Sequence, residues 1–416
     1  MTLIKTSLLN GIAVIIKMLT LLGINKILAI YVGPSGYAAL GQFQNAVQMI
    51  STFASGAINT GVTKYTAEYH EDVTKQQAVW RTAGTISFIG SVVTGMLVVI
   101  FRDTLSGWFL NDENYRGVFV WFALALVFFV FNTLLLAILN GKKEIHRYVV
   151  ANISGSLFAL LATAVMTMQY GLYGALVSLA VYQSLAFFVT ILLCYKAKWF
   201  KFNYLFGAID KATALNLGKF TAMALTSAAC VPLSHILVRN HLGETLSWEA
   251  AGYWEAMSRL SGAYLLLITT TLSVYYLPRL SEIKSSGEIK NEIAQGYRVI
   301  LPAAVVLGLI IYLFRDLIIQ VLFTMDFLPM RELFALQLVG DTLKIGSWVL
   351  GYVMLGRALV KLFVISEIIF SFSFVALTYS FTSYMGLEGV SLAHALNYLL
   401  YWFFVGYFLF KKKQSI

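Results

Sequence analysis

Apolar stretches of at least about 18 residues, enough helix to cross a hydrocarbon core of roughly 30 Å, recur from one end of the chain to the other. Short polar segments separate them, and the pattern predicts twelve spans, near 5–32, 37–62, 84–101, 117–140, 149–169, 174–195, 217–238, 251–277, 299–314, 335–355, 362–382 and 390–410. The runs are continuously apolar and lack the alternation of a barrel strand, so each span is read as a helix. One span departs from the pattern. Asn45, Gln48, Thr52, Ser55 and Asn59 follow a 3-4-3-4 spacing that would set them on a single stripe of the second helix, facing a wet lumen. Ser261, Tyr264, Thr271 and Tyr275 in the eighth span are the expected counterparts on the opposite wall.

The spans repeat. Phe101-Arg102-Asp103 returns as Phe314-Arg315-Asp316, and Gly171-Leu172-Tyr173-Gly174 returns as Gly386-Leu387-Glu388-Gly389. Gly36-Tyr37 with Gly252-Tyr253, and Gly141 with Gly356, keep the same offset of about 215 residues. Six spans per copy make the repeat parallel, with an axis along the membrane normal. The expected fold is an all-α integral membrane protein, with twelve transmembrane helices in two parallel-repeat six-helix bundles around a central cavity. The bundles are assigned to residues 1–200 and 217–416, joined by a cytoplasmic linker over 201–216.

Composition agrees: of 416 residues, 59% are hydrophobic and 12% charged, too little polar surface to cover a soluble globule. Basic residues concentrate in alternate loops, among them Lys142, Lys143, Lys196, Lys198, Lys201, Arg357 and Lys411 to Lys413. The other loops carry only Arg102, Arg116, Arg239, Arg315 and Arg331, which puts both termini in the cytoplasm. The same asymmetry accounts for most of the net charge of +10 without nucleic acid. The first span lacks a small-residue cleavage site and is expected to be retained. The linker carries Lys198-Trp199-Phe200-Lys201-Phe202, a pattern suited to the headgroup layer. Cys194 and Cys230 have no metal spacing, and no G-x-x-x-x-G-K or Asp-x-Asp motif occurs, so neither a metal, a cofactor nor a catalytic group is assigned.

Ionisable groups inside spans are expensive and mark function by default. Lys17 lies near mid-membrane and Lys26 nearer the outer end of the first span. Glu255 and Arg259 are four residues apart and Asp341 and Lys344 three apart, so each pair can meet on one helical face. His235, Glu367 and His394 complete the set, with Asn397 and Tyr398 beside the last. Lys17, Lys26, Arg259 and Lys344 are candidate ligands for an anion. Asn45, Gln48, Asn59, Trp254 and Tyr264 are candidate ligands for sugar, and Asp341, Glu255, Glu367, His235 and His394 candidate ion-coupling groups.

The Lys5, Lys17 and Lys26 spacing, Gly33-Pro34-Ser35-Gly36-Tyr37, Asn59-Thr60-Gly61-Val62-Thr63-Lys64-Tyr65, Leu277-Pro278-Arg279-Leu280 and the run from Leu333 to Lys344 resemble Wzx-type polysaccharide translocases. That family falls within the multidrug/oligosaccharidyl-lipid/polysaccharide exporter superfamily. One departure is that the acid many relatives are expected to carry near Gly262 is here Glu255, with Arg259 added. The resemblance implies a flippase that carries an undecaprenyl-pyrophosphate-linked oligosaccharide, an O-antigen repeat unit, to the periplasmic leaflet of the bacterial inner membrane. Membrane lipid, the O-antigen polymerase and the chain-length regulator are its implied partners. A cation-coupled multidrug antiporter would share the fold but favour an acidic cavity. A membrane-embedded glycan enzyme would need an acid or metal constellation that the sequence does not display.

Overall fold

The computed structural model describes residues 3–276, 279, 280, 283, 285–357 and 359–411, with the backbone alone at 3–10, 219, 220, 267, 271, 274, 275 and 286. Leu277, Pro278, Lys284, Lys412 and Lys413 lie outside the described residues, as do the side chains of Lys5, Lys219, Thr271 and Tyr275. Among the described residues nine helices are long and apolar enough to cross a membrane, and the protein is an all-helical membrane protein. The chain divides into two compact units, one of Met1–Val32 with Ala39–Pro232, the other of Gly33–Ala38 with Leu233–Ile416.

The first unit holds α1 (Leu3–Tyr31), most of α2 (Gly33–Ala54), α3 (Asn59–Glu68), α4 (Val73–Ile100), α5 (Arg102–Leu110), α6 (Arg116–Gly141) and α7 (Ile145–Tyr195). Helix α6 packs on α7, α3 and α4, and α1 packs on α7. A core containing Val62, Trp80, Leu134, Ile138 and Cys194 lies between them. Asp72 caps α4, its carboxylate accepting from the Lys75 N–H at 3.0 Å. The linker segment Phe202–Leu205 lies on α4 with Leu205 fully buried, so the Trp199-Phe200 region folds back on this unit.

The second unit holds the end of α8 (Lys211–Thr245) from Leu233 on, then α9 (Trp248–Thr271), α10 (Ser286–Leu313), α11 (Arg315–Leu322), α12 (Phe334–Gly356), α13 (Val360–Met385) and α14 (Glu388–Lys411). Helix α12 packs on α14 and α10, and α13 packs on α14.

The repeat has a backbone counterpart. Phe101 ends α4 at φ −96°, ψ 14°, and Phe314 ends α10 at φ −97°, ψ 12°. The following aspartates each meet a later arginine, Asp103 with Arg116 at 3.5 Å and Asp316 with Arg331 at 2.8 Å. Gly171 sits at φ 55°, ψ −134° and Gly386 at φ 60°, ψ −136°, a conformation that a Cβ would strain. In the second unit this glycine separates α13 from α14; in the first it interrupts the 51-residue α7, which therefore contains two of the predicted spans.

The predicted second span requires correction. Helix α2 stops at Ala54, Gly56 and Ala57 take positive φ, and Asn59 opens a separate helix, so the five-residue polar stripe is not one helical face. The hydroxyls of Thr52 and Ser55 bond back to the Gln48 and Thr52 carbonyls, which weakens the ladder where the helix ends.

Candidate functional site

Two polar clusters lie inside the second unit. The first is built by the α8–α9 hairpin. Ser247 caps α9 by accepting from the Ala250 N–H at 3.1 Å, fixing the tight turn after Thr245. Arg239 and Glu255 stand at similar distances before and after that turn and so come face to face. Arg239 Nε and Nη2 donate to Glu255 Oε2 at 3.0 and 2.9 Å, and Arg259 Nε donates to the other oxygen, Oε1, at 2.8 Å. Glu255 is therefore shared between two guanidiniums. Arg239 stacks over Trp254 at 5.5 Å and Arg259 over Tyr37 at 5.6 Å. The side chains are 2% exposed for Arg239, 7% for Glu255 and 15% for Arg259, so the open end of the cluster belongs to Arg259.

Arg239 overturns a sequence expectation: it is not in an outer loop but buried within α8. The signal that would have found it is the hairpin register about the Leu246-Ser247 turn.

The second cluster centres on Asp341 of α12, 2% exposed. Its Oδ2 accepts from Ser261 Oγ at 2.6 Å and from the Tyr264 hydroxyl, both on α9. Its Oδ1 lies 3.3 Å from Gln337 Nε2 and 3.0 Å from His394 Nε2 on α14. The close approach of α14 depends on Gly340, where a Cβ would stand 2.4 Å from His394 Cδ2 and 3.1 Å from the Ala395 backbone. One turn farther along α12, Lys344 does not bond to Asp341. Its ammonium lies over the rings of Trp348 at 5.0 Å and Tyr398 at 5.3 Å, a cation held by aromatic faces. The expected Asp341–Lys344 pair is thus replaced by Asp341–His394, because three residues on α12 bring the carboxylate to α9 and α14 and the lysine to the aromatic side of α14. Asn397 on α14 leaves its buried Oδ1 without a partner.

His235 packs between Trp254 at 5.3 Å and Phe374 at 6.1 Å. Glu367, half-buried, sits in the second turn of α13. Ser261 and Tyr264, the expected lumen-lining counterparts of the stripe, are instead donors to Asp341.

In the first unit the candidate residues lie on α1, α2 and α3. Lys17 is exposed on α1, Lys26 half-buried on the same helix, Asn45 buried and Gln48 exposed on α2. Asn59 Nδ2 donates to Thr133 Oγ1 at 3.2 Å, and its buried Oδ1 has no partner. Sequence reasoning missed a neutral network between α6 and α7: Asn132 Nδ2 donates to Gln183 Oε1 at 2.8 Å, and Thr190 Oγ1 donates to Asn132 Oδ1 at 2.7 Å. Two buried charged clusters thus lie in the second unit, and α6 and α7 of the first are bridged by amides and hydroxyls.

The family model described as Polysaccharide biosynthesis protein matches residues 3–284. The chain belongs to this family. It is 30% identical over 401 residues to the Lipid III flippase of Escherichia coli (strain K12), covering 96% of each chain, and matches the Lipid III flippase of Shigella flexneri equally. Its fold is that of an inward-facing multidrug resistance MATE family transporter of the MOP superfamily (TM-score 0.77, 14% identity, 96% of this chain and 94% of that one). It is also that of the lipid II flippase MurJ in an inward closed conformation (TM-score 0.74, 14% identity, 98% and 88%). The relatives that match nearly the whole chain are flippases, not enzymes.

Proposed function

We propose that this protein flips an undecaprenyl-pyrophosphate-linked oligosaccharide, an O-antigen repeat unit, from the cytoplasmic to the periplasmic leaflet of the inner membrane. The observation that carries this reading is the likeness to the Lipid III flippase along 96% of both chains. The site chemistry fits it. A pyrophosphate entering a low-dielectric interior needs cations, and Arg259 and Lys344 are held in the second unit with aromatic support, while Lys17 and Lys26 stand on α1. For the sugar's hydrogen bonds our candidates are Asn45, Gln48 and Asn59; Trp254 is buried under Arg239 and His235 and the Tyr264 hydroxyl is given to Asp341, so these two of the expected sugar ligands are already engaged.

We propose twelve spans: the nine helices that qualify by length and composition among the described residues, one more from the interruption of α7 at Gly171, and α2 and α9, whose polar and charged residues lower their hydropathy. Two bundles, 1–200 and 217–416, then rock about the substrate with both termini in the cytoplasm. Of the coupling candidates, Asp341 meets His394 in a buried contact and this pair is our choice for a proton site; Glu255 is engaged by two guanidiniums.

Proteoliposomes holding a labelled lipid-linked oligosaccharide test the reading. Protein-dependent appearance of chemically unmodified lipid in the opposite leaflet is expected, and its absence under every imposed gradient would refute it. Export of cationic dyes with the lipid unmoved would favour a drug antiporter, and a chemically altered lipid-linked sugar would favour an enzyme.

A further inference from the structure

The Arg239–Glu255–Arg259 cluster is more than an anion ligand with a neighbour. Each Glu255 oxygen serves a different arginine, and the three side chains open to their surroundings in the order Arg239, Glu255, Arg259. An anion that reaches this cluster meets Arg259 first, and to take its Nε–H it must compete with the Glu255 carboxylate. A lone buried carboxylate could not give up its partner, since stripping one member from a buried ion pair strands the other charge. Arg239 removes that obstacle. Its two N–H groups on Oε2 keep Glu255 compensated when Arg259 turns away.

We infer that Glu255 is a competing counter-ion that sets how tightly Arg259 grips a pyrophosphate, and that Arg239 is the positioning residue that makes the exchange affordable. No bond is made or broken covalently; one charge-assisted hydrogen bond is traded for another. The consequence concerns release. A guanidinium with no internal competitor would hold a pyrophosphate in both access states, adding affinity without adding turnover. Glu255 gives Arg259 somewhere to return, so cargo can leave. This inference rests on the lipid-pyrophosphate reading above, but its signature is a pattern among variants.

The probe is geranylgeranyl pyrophosphate, titrated against the purified full chain in lipid nanodiscs, with geranylgeraniol as the uncharged control. Glu255→Gln should bind the pyrophosphate about tenfold more tightly than wild type, while turnover of lipid-linked oligosaccharide in vesicles falls. Arg239→Gln should bind about tenfold more weakly, because Glu255 then claims Arg259 alone. The double variant Arg239→Gln/Glu255→Gln removes one charge of each sign and leaves two amides able to bond, so it should fold even where the single variants do not. It should bind as tightly as Glu255→Gln: the Arg239 effect vanishes once the carboxylate is gone. A double variant no tighter than wild type, or an Arg239 penalty that persists without Glu255, overturns the inference. Oligosaccharide transport intact with that pattern absent removes the counter-ion role and spares the flippase; the pattern present with no transport removes the flippase and spares the counter-ion role.

Discussion

Gly340→Ala is the sharpest test of the Asp341–His394 contact, because it alters neither residue. The added Cβ would stand 2.4 Å from His394 Cδ2 and 3.1 Å from the Ala395 Cα and N atoms. A ring edge and a backbone are the least yielding neighbours, so α12 and α14 must separate by about 1 Å to restore ordinary contact. His394 Nε2 now lies 3.0 Å from Asp341 Oδ1. Retreat by that amount takes it past hydrogen-bond reach and leaves a buried carboxylate with fewer donors. Overpacking of this kind costs about 1–3 kcal/mol. In a unit of this size that lowers the melting temperature by roughly 2–12 °C, at about 2–4 °C per kcal/mol. Gly262→Ala on α9 is the control, since a Cβ there meets nothing within 4 Å. The assay is thermal unfolding of purified protein in one detergent, with transport in vesicles alongside. Gly340→Ala melting with wild type and transporting normally would refute the close packing of α12 on α14 and the role given to the pair.

Lys17→Ala should insert at wild-type level and lose transport, read as surface glycan in cells and lipid exposure in vesicles; normal glycan from a well-expressed variant would remove Lys17 from the site. Asn132→Ala deletes the hub between Gln183 and Thr190 and should cost about 1–3 kcal/mol, seen as a lower melting temperature with no change in substrate affinity. Cysteines at Asp112 and Glu244 should react with an impermeant thiol reagent from outside intact spheroplasts; protection of both until lysis would invert the topology.

The sequence alone was enough for the membrane and the helices, because these rest on local quantities. Hydropathy over about 18 residues decides partition into lipid, and a glycine with positive φ leaves its mark wherever it recurs, as Gly171 and Gly386 do. The Glu255–Arg259 contact was legible for the same reason, being one turn of one helix. One reading failed at a local turn, and for the buried charges the deciding contact came from another helix. The stripe from Asn45 to Asn59 assumed a helix that continues, and the turn at Gly56 and Ala57 ends it. Arg239 looked like a loop charge because charge near the end of an apolar run normally reaches water; the hairpin register hands it Glu255 instead. Asp341 had Lys344 within reach along its own helix, yet α9 and α14 bring Ser261, Tyr264 and His394 to it. In an apolar interior a charge takes whichever donors surround it most completely, and only the packing of three helices determines which those are.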